Sequence, residues 1–90
     1  MYAVLTRVTV NDAEQATKRL HEDVVPRVRE TPGLVAGYWV RLEGNQGRSL
    51  IVFESEEAAN AALDQARAMA SGTEFVTFDS VEVCEVVAHT

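Results

Sequence analysis

The chain has 90 residues, 47% of them apolar and 24% charged, with a formal net charge of −6. A domain of this size buries only about 60–65% of its unfolded surface, so the expectation is one domain over residues 1–90 that leans on a partner chain for part of its stability. Eight Lys and Arg among fourteen acids argue against nucleic acid and against anionic membrane surfaces, because phosphate binding needs a basic patch.

The opening MYAVLTRVTV has no basic leader before a long apolar run, and no stretch approaches twenty apolar residues. Neither a signal peptide nor a membrane helix is predicted, which makes the cytoplasm the expected location. The lone Cys84 cannot form an intrachain disulfide, so no oxidising compartment is required. Residues 2–10 are β-branched and apolar and read as a strand that stops at Asn11-Asp12, a helix-start signature. From Asp12, apolar residues recur at Ala13, Ala16, Leu20, Val24 and Val28, a single helical stripe reaching to about Glu30. Pro26 falls inside that stripe, removes a backbone donor and crowds the Glu22 carbonyl, which predicts a kink or a break. Thr31-Pro32-Gly33 ends the helix.

The segment PGLVAGYWVRLEGNQGRSLIVFES predicts a hairpin. A tight turn at Asn45-Gln46 sets Gly44 opposite Gly47 and Glu43 opposite Arg48, a favourable charge pair. In that register Leu34, Ala36, Tyr38, Val40 and Leu42 join Ile51 and Phe53 on one face, while Val35, Trp39, Arg41, Leu50 and Val52 share the other. Ser55 then caps a second helix whose buried stripe is Ala59, Ala62, Leu63, Ala66 and Met69 or Ala70. Residues 81–88 read as a last strand. The order strand, helix, strand, strand, helix, strand predicts an α+β, ferredoxin-like βαββαβ domain, a four-stranded antiparallel sheet with both helices on one face. The other face, carrying Trp39, Leu50 and Val52, would then be apolar and uncovered, which predicts a homodimer.

With its element order, its PGLVAGYW segment and its VFESEEAANAAL strand-to-helix junction, the chain resembles the dimeric α+β barrel proteins, and among them the antibiotic-biosynthesis-monooxygenase-like group. The resemblance implies a homodimer whose sheets face one another, with a small apolar pocket in each subunit between sheet and helices. Some such proteins oxygenate aromatic polyketides without a cofactor and others degrade haem. Catalytic members often place Trp in the aromatic-Glu-Ser junction and His two turns into the next helix. Here Phe53 stands at the first position and AANAAL around the second, and Asn11 has the place of a helix cap, so a haem site is not expected.

The candidate site residues are His21, one residue off the Leu20/Val24 stripe and able to move a proton near neutral pH, with Tyr38, Phe53, Leu20 and Val24 forming an apolar, aromatic-binding pocket. Each has a plainer reading: His21 as an exposed helix residue, Tyr38 as core with a wet tip, Trp39 as a filler of the barrel wall rather than a substrate clamp. Arg41 reads as surface pairing beside Glu43 and Arg48, and Cys84 as an inert small hydrophobe. No two His, Cys or carboxylates have ligand spacing on a shared face, so no metal, haem or other cofactor is expected. The function these residues predict is binding of a small apolar or aromatic molecule, or assembly alone. The alternative is a cofactor-independent monooxygenase-like enzyme. Amino-acid-sensing and RNA-binding modules of this fold fit less well, since TVNDAE lacks a glycine loop and GRSLIVFES lacks basic, aromatic-rich character.

Overall fold

A computed structural model describes residues 1–70 and 75–90, the side chains of Met69 and Ala70 excepted. The position predicted for Met69 or Ala70 in the second helix stripe therefore lies outside the described residues. In chain order the elements are β1 (Tyr2–Val10), α1 (Ala13–Arg19), a π-helical turn (Leu20–Val24), α2 (Val25–Arg29), β2 (Leu34–Leu42), β3 (Gln46–Phe53), α3 (Glu56–Ala70) and β4 (Val76–Glu85). All strand pairs are antiparallel and the sheet order is β2-β3-β1-β4, the ferredoxin-like arrangement that the element order predicts.

Both helix starts form as their caps dictate. The Asp12 carboxylate accepts from the Gln15 amide at 3.1 Å, and the Ser55 hydroxyl accepts from the Ala58 amide at 3.2 Å. The irregularity predicted at Pro26 is present, one turn upstream. Pro26 sits in the first turn of α2, where a missing N–H costs little, and the preceding turn widens so that the Val25 amide donates to the Leu20 carbonyl, five residues back. The helical rod ends at Arg29, and the turn after it closes on Gly33, whose φ of +80° favours glycine and whose missing Cβ would stand 3.0 Å from the Ala58 methyl.

The hairpin departs from the predicted register. Its connection is three residues long, Glu43 to Asn45, and Leu42 pairs with Gln46, Val40 with Arg48, Trp39 with Ser49 and Tyr38 with Leu50. Gly44 (φ +74°) and Asn45 (φ +60°) hold the two left-handed positions. Gly and Asn tolerate that region and Gln does not, so the left-handed pair falls one residue before Asn45-Gln46, which moves the register by two, and Glu43 as a third loop residue moves it by one more. The resulting slip of three residues is odd, and an odd slip exchanges the faces. Trp39 therefore stands on the helix side, packed with Val4, Ile51 and Phe53, and the predicted placement of Tyr38, Val40 and Leu42 beside Ile51 and Phe53 is corrected. A second irregularity between Leu34 and Ala36 sets Leu34 directly opposite Phe53 and so keeps it on the face of Phe53, as predicted.

The last strand also differs from the prediction, starting at Val76 rather than 81 and ending at Glu85. Its pairing with β1 slips between Arg7 and Val8, so that Arg7 faces Ser80 and Val8 faces Phe78, with Asp79 the extra residue. The Thr9 hydroxyl donates to the bulged Asp79 carboxylate at 2.8 Å. Because of the bulge, Val76 and Phe78 before it and Val81 and Val83 after it all turn to the helix side.

Phe53 and Ala59 lie at the buried centre, with Tyr2, Leu34, Ala58 and Leu63 packed around it. Tyr2 ties β1 to the first turn of α3. The Glu56 carboxylate beside its phenol, their hydrogen bond, and Glu85 across the sheet together raise its pKa above the ordinary value. The α3 helix packs on β1, β3 and β4, whereas the α1–α2 rod touches the sheet less, chiefly through α2 against β2 and the Thr17 hydroxyl against Arg41. That difference in packing leaves room between the layers.

Candidate functional site

Between the sheet and the helices lies a partly open cavity of about 790 Å³. Its existence follows from side-chain size. The helices present Ala16, Ala62 and Ala66 to the sheet across this gap, and three methyls cannot fill the depth that leucines would. Val4, Val8, Ile51, Phe53 and Trp39 make an apolar floor, while Leu20, Val24 and Val28 make the wall on the rod side. Trp39 leans back along its strand, with the far edge of its ring 3.3 Å from where a Gly37 Cβ would be. Gly47, two rows further along, gives its place on the floor to the Val8 methyl, which lies 3.0 Å from where a Gly47 Cβ would be.

Two polar features interrupt this apolar surface. On the floor, Thr6 and Ser49 face each other across β1 and β3, both 7% exposed, and their hydroxyls hydrogen-bond to one another. Sequence reasoning missed them, although Thr6 lies in the even-numbered series Val4, Thr6, Val8, Val10 that turns to the helices. At the mouth, an Arg41 guanidinium nitrogen donates to the Thr17 hydroxyl of α1 at 2.7 Å. Arg41 faces Gly47 in the hairpin, so the predicted pairing beside Glu43 and Arg48 is corrected; Arg48 is opposite Val40 and bonds the Gly47 carbonyl and Gln46.

Of the predicted site residues, the structure brings Leu20, Val24 and Phe53 together on the cavity. Tyr38 is 63% exposed on the far face of the sheet, because of the register. His21 is exposed on the π turn and outside the cavity lining. Trp39, read as a wall filler, is the aromatic side chain that faces the cavity in Tyr38's stead. Cys84 faces Ala3 across the sheet and its thiol lies 3.7 Å from the Ala3 carbonyl. Among the described residues no three of His, Cys, Asp and Glu converge to hold a metal ion, and no helix is long and apolar enough to cross a membrane.

This arrangement has a solved counterpart. The crystal structure of HapK from Hahella chejuensis superposes with a TM-score of 0.73 over all of this chain and 96% of that one, at 12% sequence identity. At that identity the likeness is one of fold, a small α+β domain with a four-stranded antiparallel sheet. No protein-family model and no curated protein matches the sequence.

Proposed function

We propose that this protein binds a small aromatic molecule in the cavity between sheet and helices, and that it does so as a homodimer of the dimeric α+β barrel kind, in the manner of the antibiotic-biosynthesis-monooxygenase-like group. The observation that carries the reading is the cavity itself. Its volume falls within the usual range for small-molecule sites, its floor is aliphatic and aromatic, and a few polar groups converge on it. Binding is favoured over turnover because no His, Asp, Glu, Lys or Cys stands among the described lining residues, which leaves the cavity without a side chain suited to accept a proton near neutral pH.

Trp39 is the single tryptophan and lies on the floor, so its indole N–H resonance reports occupancy. Adding 2-naphthol to the native protein should move that resonance saturably. Ala66→Phe, which fills the gap from the helix side, should abolish the shift while leaving the rest of the spectrum folded. A resonance that never moves, or that moves equally in the filled variant, removes the reading.

A further inference from the structure

The cavity's charge is opposite to that of the chain. The molecule carries −6 overall, with fourteen acids against eight bases, yet no Asp or Glu lines the cavity among the described residues, and Arg19, Arg27 and Arg41 all border it. Arg48 borders it too, although its register turns its side chain to the opposite face. Arg19 and Arg27 share one carboxylate, each 3.2 Å from Asp23. Arg41 has no carboxylate within ion-pair range among the described residues, and its recorded partner is the neutral Thr17 hydroxyl. A guanidinium has five N–H donors in a planar fork suited to a carboxylate, and most of that fork is unused here.

We infer that the molecule bound in this cavity is an aromatic acid, its carboxylate held by Arg41 at the mouth and its ring laid over Gly47 toward Trp39. This rests on the cavity being a binding site, and it names the ligand class. The Arg41–Gly47 row and the Trp39–Ser49 row lie two residues apart along the hairpin, about 7 Å. A fused bicyclic ring spans that distance. Gly47 lets the Val8 methyl settle against the sheet, since a Cβ there would come within 3.0 Å of it and push it up into the path of the ring. At the inner end the Thr6–Ser49 pair has one hydroxyl proton left over after bonding to itself, and it offers that proton to a second polar atom on the ring. The net positive mouth also draws anions toward an otherwise acidic molecule.

The test uses 2-naphthoate and its neutral analogue 2-naphthamide, titrated calorimetrically into the native chain, Arg41→Met and, as control, Arg67→Met on the outer face of α3. Native protein and the Arg67 variant should prefer naphthoate by about tenfold or more, as a charge-assisted bidentate contact provides. Arg41→Met should bring the two ligands within about twofold while leaving the amide's affinity in place. Equal affinities in the native chain, or a preference that survives Arg41→Met, overturn the anion assignment and leave the cavity reading standing. Failure of both probes to bind overturns both. Should Arg41→Met not fold, Arg41→Gln takes its place: loss of the naphthoate preference supports the assignment, and a preference that survives overturns it.

Discussion

The Thr6–Ser49 pair is a polar contact in a place where apolar side chains would pack as well. Each hydroxyl is buried on the sheet face, one donating and the other accepting, so removing one takes its neighbour's partner away. Ser49→Ala should cost about 1–3 kcal/mol in urea unfolding, the penalty of an orphaned buried hydroxyl. Thr6→Val combined with Ser49→Ala should cost clearly less than the sum of the two single changes, because the double variant leaves nothing unpaired. Strictly additive losses would mean that water, and not the partner hydroxyl, satisfies each group. Both residues were legible in the sequence as polar interruptions of an apolar series. Their meeting was not, since it depends on β1 and β3 lying side by side, 43 positions apart in the chain.

At the level of elements, the hairpin decides which aromatic side chain the cavity receives. Its loop holds Gly44 and Asn45 at positive φ and takes in Glu43 as a third residue, and that length places Trp39 inward and Tyr38 outward. Asn45→Gly should be neutral or slightly stabilising, whereas Asn45→Val, forced into a left-handed conformation by a branched side chain, should lose about 1–2 kcal/mol in the same urea assay. Equal stability for the two variants would show that the loop tolerates another conformation. The Gly44-Asn45 dipeptide was the better turn signal in the sequence; reading Asn45-Gln46 in its place moved the register by two, and leaving Glu43 out of the loop added the odd residue that exchanged the faces. The β4 bulge left a comparable trace: apolar residues run at Val76 and Phe78, then change parity at Val81 and Val83. A break in alternation is visible in one dimension, but a strand with an extra residue and the end of a strand look alike until the partner β1 is in place.

For the whole molecule, the uncovered sheet face sets the terms. Tyr38, Val40, Leu42 and Leu50 are 63%, 52%, 44% and 38% exposed on it, a contiguous apolar area of a kind that soluble monomers seldom leave bare. The same face sets Arg7 directly opposite Arg48, an unfavourable like-charge pair, and carries Glu82 on β4 beside Leu5. A two-fold partner would cover the apolar strip and bring carboxylates to a face that holds both signs, which is the self-complementarity of an isologous interface. The expected outcome is that the native chain sediments as a dimer and that Leu50→Glu yields monomer or unfolded chain. Tyr38→Glu, at a more exposed position, separates dissociation from misfolding. A native chain that sediments as a stable monomer would remove the dimer.

The order of the elements, both helix caps, an irregularity near Pro26 and hence the fold class were legible along the chain, because each rests on signals between residues a few positions apart: a hydroxyl or carboxylate reaching an amide, a stripe of period 3.6, a ring without an N–H. The sequence also placed Leu20, Val24 and Phe53 on the layer between sheet and helices. Only the tertiary structure decided that Trp39 and Arg41, rather than Tyr38 and His21, face that layer. A strand's two faces differ by a single residue of register, and that residue is Glu43, which joins the left-handed Gly44 and Asn45 in a loop of three instead of two. The cavity likewise belongs to the assembled layers, since an alanine stripe predicts close packing in a helix pair and becomes a gap only where the rod of α1 and α2 packs sparsely on the sheet.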